Sequence, residues 1–150
     1  IWEQHEVDQI RPDEWIPYAR VLAILKDVRD QKTGMQSMFD LVDVGIKIAN
    51  AVIEMGYETL PDFKTLFEDI EAQHRTNNRG ANIGYTSTEF SDRKVVFEDH
   101  TVWPHDLMYG LYYGYTQHYR SAYPNLTFER VDVQIDPDTG DEYGIYELTW

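Results

Sequence analysis

The apolar period of this chain changes near Ala81, and that change limits the folds open to it. Upstream, apolar residues recur every three or four positions. Downstream they alternate, with one more helical stretch set between the alternating runs. A chain built this way must cover one face of a sheet with its helices, which is an α+β arrangement.

The upstream half resolves into three helices. Residues 1–12 have no clear period and read as a lead-in segment. Tyr18, Val21, Leu22, Leu25 and Val28 place a first helix over Asp13 to Arg29, with Pro17 in the first turn, where a missing N–H costs little. Met38, Leu41, Val42, Gly45, Ile48, Ala49 and Val52 form the stripe of a second helix, from Met35 to Met55, closed by Gly56. The third runs from Pro61 to about His74, with Phe63, Leu66, Phe67 and Ile70 inward. The polar stretch from Arg75 to Gly80 ends the helical half.

Downstream, Ile83, Tyr85, Ser87 and Glu89 share one face of a strand. Ser91-Asp92 turns the chain, and Lys94 to Asp99 pairs back on it. Trp103-Pro104-His105-Asp106 opens a helix that runs through Tyr123 and is stopped by Pro124-Asn125. Two strands follow, Leu126 to Ile135 and Tyr143 to Trp150, joined by an acidic loop from Asp136 to Glu142. Val131, Val133 and Ile135 share a face of the first; Tyr146, Leu148 and Trp150 share a face of the second. The expected architecture is N-terminal helices packed on a four-stranded antiparallel sheet in ββαββ order.

At 150 residues the chain is one domain, long enough to bury its own core. It opens without a signal-peptide pattern and stops on Trp150 at the end of a predicted strand. It therefore reads as a single cytoplasmic domain, residues 1–150, cut from a longer polypeptide. No run approaches the ~20 apolar residues of a membrane span. The net charge of −14 sets the surface against phosphate backbones and anionic lipid. The absence of cysteine excludes disulfides, thiolate nucleophiles and thiolate metal sites.

The helix after Trp103 is the least ordinary segment. It holds Tyr109, Tyr112, Tyr113, Tyr115, Tyr119 and Tyr123, more than half of the eleven tyrosines. Buried tyrosine brings an apolar ring and a hydroxyl that needs a partner. Gly110 and Gly114 lie four apart on one face. Two interior glycines cost roughly 2 kcal/mol in helix propensity, so a close neighbour has to compensate. Close packing and a tyrosine-walled ligand cavity both answer that need. The five histidines show no His-x-x-x-His or His-Glu-x-x-His pair. The acidic loop lacks the acid and the glycine that a calcium loop requires, with Gly140 and Asp141 at those positions. No glycine-rich phosphate loop and no nucleophile elbow occurs, so no enzyme is expected.

The order of elements resembles the 4-vinyl reductase domain superfamily and its relatives, the heme–nitric-oxide-binding domains. The residues that carry the resemblance are Trp103-Pro104-His105-Asp106, Gly110-Leu-Tyr-Tyr-Gly114 and the closing Glu147-Leu-Thr-Trp150, within a stretch from Met35 to Trp150. The cysteine cluster that many 4-vinyl reductase domains tie to zinc is missing. Phe67-Glu-Asp-Ile-Glu-Ala-Gln-His74 resembles the stretch that ends on the proximal histidine of heme–nitric-oxide-binding domains, with His74 in the ligand position. Those domains hold the heme propionates with Tyr-x-Ser-x-Arg. The nearest string here is Tyr85-Thr-Ser87-Thr-Glu89, and the strand position counted back from Gly110 holds Phe97, Asp99 and Thr101. Acid at these positions would repel a propionate.

What the resemblance implies is a sensory input domain, cut from a longer signalling protein, that binds a small, mostly apolar ligand and regulates a signalling output in the same chain; the departures from the zinc and propionate patterns leave no cofactor expected. The expected site lies between the second helix and the tyrosine helix. Gly45, Gly110 and Gly114 would leave the room; Met38, Phe39 and Val42 would form one wall, Tyr112, Tyr115 and Tyr119 the other, and Trp103 would close the mouth. The alternatives are a protein-interaction or dimerisation module without ligand, in which the chain forms a homodimer, and a heme-based gas sensor using His74. Neither nucleic acid nor a metal site is expected.

Overall fold

The computed structural model describes residues 4–6, 9–11, 14–30, 35–55, 63–80 and 83–150, those at 35–40 and 63 by backbone only. The expectations for Asp13, Gly34, Gly56, Pro61 and Ala81, and for the side chains of Met38, Phe39 and Phe63, lie outside them. Four helices and four strands follow in the order α1 (Tyr18–Asp30), α2 (Met35–Glu54), α3 (Phe63–Asn77), β1 (Thr86–Ser91), β2 (Lys94–Asp99), α4 (His105–Tyr119), β3 (Thr127–Ile135) and β4 (Glu142–Thr149). The sheet is antiparallel throughout, with spatial order β1-β2-β4-β3. The α+β class and the ββαββ order stand as the sequence implies.

One face of the sheet carries the core. Val95 and Phe97 of β2 and Tyr146 and Leu148 of β4 are fully buried, in register across the central pair as Val95↔Leu148 and Phe97↔Tyr146. The α4 helix lies on that face. Tyr112 sets its ring edge-on to Phe97 at 4.6 Å and to Tyr146 at 5.3 Å, and Phe67 of α3 meets Phe97 at 5.4 Å. Edge-to-face aromatic pairs add to the plain burial of their area. Behind α4, α2 packs through Leu41, Ala49 and Ile53.

Three boundaries differ from the sequence reading, each for a local reason. The α1 helix begins at Tyr18, five residues late. Ile16 precedes Pro17, and the proline ring disfavours helical backbone at that position; the Pro17 carbonyl then accepts the first bonds, from Arg20 and Val21 N–H. The tyrosine helix ends at Tyr119 rather than Tyr123, with turn bonds from Ala122 and Tyr123 back to the Tyr119 carbonyl. In β3 the register slips between Arg130 and Asp132. Such a bulge leaves one residue unpaired and re-aims those beyond it. Phe128 and Arg130 pair with the inward Leu148 and Tyr146, whereas Val131, Val133 and Ile135 stand 51%, 42% and 65% exposed. Their shared period is not a core stripe. Among the described residues no helix is long and apolar enough to cross a membrane.

Candidate functional site

A cavity of about 950 Å³ lies between α1, α3 and α4. That is near the upper end of the roughly 300–1,000 Å³ typical of small-molecule sites. Tyr18, Val21 and Leu25 of α1 face Leu107, Met108, Leu111, Tyr112 and Tyr115 of α4 across it. Ile48 and Val52 of α2 and Ile70 and His74 of α3 close the sides, and Trp15, Arg79, Thr86, Thr101 and Trp103 complete the wall from loops and from the start of β1. Exposed Glu14 and Arg79 mark where it reaches the surface.

The position of α1 explains why the space exists. None of its 13 residues is buried. Its apolar stripe faces the cavity, so the helix covers the opening without filling it. A hydrogen-bonded relay holds it there. Tyr18 tilts its ring onto Trp103 at 4.7 Å, and its hydroxyl donates to Asn78 Oδ1 at 2.6 Å. The Asn78 amide donates to the His74 carbonyl at 2.7 Å and contacts His74 Nδ1 at 3.1 Å. His74 is 9% exposed, and its Nε2 lies 2.9 Å from the Ile83 carbonyl oxygen. A carbonyl only accepts, so Nε2 carries the proton and Nδ1 the lone pair. Glu71, one turn before His74, accepts from both the N–H and the hydroxyl of Thr86, at 2.6 and 2.9 Å, and so ties α3 to β1.

The opposite end of the cavity is acidic beneath its surface. Asp99, the last residue of β2, is 1% exposed. Its Oδ1 accepts from Thr101 N–H and its Oδ2 from the Tyr112 hydroxyl, each at 2.8 Å. Burial, reinforced by Asp99, drives the Tyr112 hydroxyl well above the ordinary tyrosine pKa. Burial pushes Tyr18 up to about 12; its hydrogen bond with Trp103 opposes this and the Asp99 charge adds to it. The hydroxyl of Thr101, buried beside Asp99, has no partner among the described residues.

The residues singled out from sequence divide into three groups. Trp103, Tyr112 and Tyr115 line the cavity. Tyr119 lies in the hydrophobic core, and Val42 meets α4 through its backbone. Gly45, Gly110 and Gly114 leave no ligand room. A Cβ on Gly45 would collide with the Leu107 carbonyl oxygen, one on Gly110 with the Val42 carbonyl oxygen, and one on Gly114 would stand 2.6 Å from Ala49 Cβ. The three glycines are where α2 and α4 cross in backbone contact, so the space reserved there for a ligand is filled by the partner helix. The wall residues of α1 and of the loop at 78–79 were missed. Their one signal was the stripe Tyr18, Val21 and Leu25, which alone cannot distinguish a core from a cavity lining.

An acid-laced domain with helices over an antiparallel sheet and a large aromatic cavity is the class this geometry defines. No family model matches the chain, and no curated protein matches it. Solved structures do. One from a study of heme distortion in the H-NOX family superposes with a TM-score of 0.77 at 15% identity, over 99% of this chain and 81% of that one. An oxygen-binding H-NOX domain related to soluble guanylate cyclases, in its oxygen complex, gives 0.70 at 15% identity over 93% and 75%. An H-NOX protein from S. oneidensis in the Fe(II) ligation state gives 0.62 at 11% over 99% and 84%. The fold is therefore that of H-NOX domains, the heme–nitric-oxide-binding side of the resemblance. The expectation of no cofactor is overturned by this likeness, because the proteins that share the fold are studied for the distortion and redox potential of their heme.

Proposed function

We propose that this chain is a sensory domain whose cavity takes a heme-type group, which His74 would hold through its imidazole, with α1 as the element that responds. The observation that carries the reading is a large aromatic cavity with one buried imidazole on its wall. Three features of the residues fit such a group. The walls are mostly apolar and aromatic, as a flat macrocycle requires. His74 Nδ1 has a lone pair to offer, and the contact it would exchange is the 3.1 Å one to Asn78. Ile83 holds the other ring nitrogen, as backbone carbonyls commonly hold metal-binding histidines. When bound, such a group supplies an iron with a coordination position open to a small gas.

The protein's own residues would do the rest. Val21, Leu25, Leu107 and Leu111 would exclude water from the plane of the group. Asn78 would hold the His74 helix end and the α1 hydroxyl of Tyr18 in one relay, so a shift at the imidazole is felt at α1. That coupling would carry a signal to an output domain in the same polypeptide. A sensor role suits the site, which joins a buried imidazole to an aromatic cavity.

The test is titration of the purified protein with hemin, followed by its Soret absorption. We expect a one-to-one complex. His74→Ala is expected to weaken it by about tenfold or more and to change the band, with added imidazole restoring it. A chain that takes up no hemin at micromolar concentration, or one whose spectrum ignores His74, would refute the reading.

A further inference from the structure

Asp99 and Arg79 give the two ends of the cavity opposite electrostatic character. Asp99 lies under the end lined by Thr101 and Tyr112, 1% exposed, with its two bonds both accepted and no cation bonded to it among the described residues. Its field reaches across that end: it is among the causes that raise the hydroxyl pKa values of Tyr18, Tyr112 and Tyr146, behind burial in each. A carboxylate placed beside Thr101 would meet a buried like charge in a medium that screens poorly.

The mouth is the reverse. Arg79 is the one arginine or lysine among the described wall residues. Its guanidinium lies 3.6 Å from the centroid of the Trp15 ring, another wall residue. Stacking on an indole face holds the plane of the fork and leaves its N–H edge free to bond. Glu14, the acid on the wall, pairs with Arg11 at 3.6 Å. Among the described residues Arg79 has no carboxylate partner.

We infer that Arg79 is the anion-binding residue of this cavity: it takes the carboxylates of a flat, mostly apolar ligand at the mouth, while the Asp99 end accepts only an uncharged edge. The inference deepens the heme reading, since heme carries two carboxylates, but it concerns the acid groups and not the iron. Arg79 is exposed and lies outside any helix or strand, so its replacement leaves the core untouched.

The experiment uses metal-free protoporphyrin and its dimethyl ester on the whole chain, read by quenching of tryptophan emission, to which Trp15 and Trp103 on the wall contribute. Arg79→Gln is expected to weaken the diacid about threefold to tenfold, within the range of an exposed to a bidentate arginine–carboxylate pair. It should leave the ester unchanged. Arg79→Lys should fall between, keeping the charge and losing the flat fork. Salt should weaken the diacid in the parent protein and have little effect in Arg79→Gln. Equal losses for diacid and ester, or none for either, would overturn the assignment, as would an ester that binds the parent protein while the diacid does not. Failure of both porphyrins to bind the parent protein would overturn it together with the heme reading. If the diacid depends on Arg79 but hemin shows no His74-dependent band, the heme reading falls and the Arg79 assignment stands.

Discussion

At Gly110 a single added carbon would run into the carbonyl oxygen of Val42. Backbone cannot give way as a flexible side chain can, so α2 and α4 would have to separate. Gly110→Ala gains about 1 kcal/mol of helix propensity. Overpacking of this kind costs about 1–3 kcal/mol, and a clash with main chain belongs at the upper end. A net loss of about 1–2 kcal/mol is expected, visible as a lower urea midpoint. A midpoint that stays or rises would mean the crossing is looser than the structure shows. The sequence made this pair of glycines conspicuous, because interior glycines need a compensating neighbour. Whether the neighbour is a ligand or a helix depends on what the chain brings to that face from Gly45, sixty-five positions away by residue number. The same limit holds at Asp99. Its negative charge is plain in the sequence, but its burial under the cavity floor follows from where β2 ends.

The element with the least packing is α1. All its residues are at least partly exposed, whereas α4 buries Leu107, Met108, Gly110, Tyr112, Gly114, Tyr115, Thr116 and Tyr119. Local opening is easiest where few apolar contacts must break. Amide hydrogens of α1 are therefore expected to exchange faster than those of α4 in the free protein, and to slow when hemin or protoporphyrin fills the cavity. Protection of α1 equal to that of α4 without any ligand would contradict its role as a cover. The periodicity of Tyr18, Val21 and Leu25 predicts the helix but not its loose seating. An amphipathic stripe looks the same whether it meets a filled core or an empty space. Strand β3 shows the same ambiguity. Val131, Val133 and Ile135 alternate as a buried face would, yet all three are exposed in the half of β3 beyond the slip after Arg130.

Across the whole molecule, aromatic burial sets the response to alkaline pH. Burial first, and the Asp99 charge as well, raise the hydroxyls of Tyr112 and Tyr146 above the ordinary value near 10, and Tyr18 rises to about 12. The folded state thus holds these protons more tightly than the unfolded chain does. Their contribution to stability is complete below about pH 10, and it is lost as pH climbs through the folded values, from about 12 upward for Tyr18. Helical circular dichroism and tyrosinate absorbance followed together should show part of the tyrosine population ionising late and only as the fold is lost. All eleven tyrosines ionising near pH 10 in an intact fold would contradict this.

The sequence alone determined the order of elements, because a helix and a strand impose different apolar periods and each period is a local property of the chain. It determined the acidic surface, and it marked His74 at the end of α3, through likeness of a short stretch. The tertiary structure decided what those elements enclose. Gly45, Gly110 and Gly114 had to meet before their spacing could be read as a helix crossing. Tyr18 had to meet Asn78 and His74, about one turn apart at the end of α3, before a cavity wall existed. Asp99 and Arg79 became the two ends of one site only when β2 and the loop after α3 reached the same space. Period depends on neighbours within one turn or one strand, whereas a cavity depends on distances between segments far apart in the chain, which no local pattern encodes.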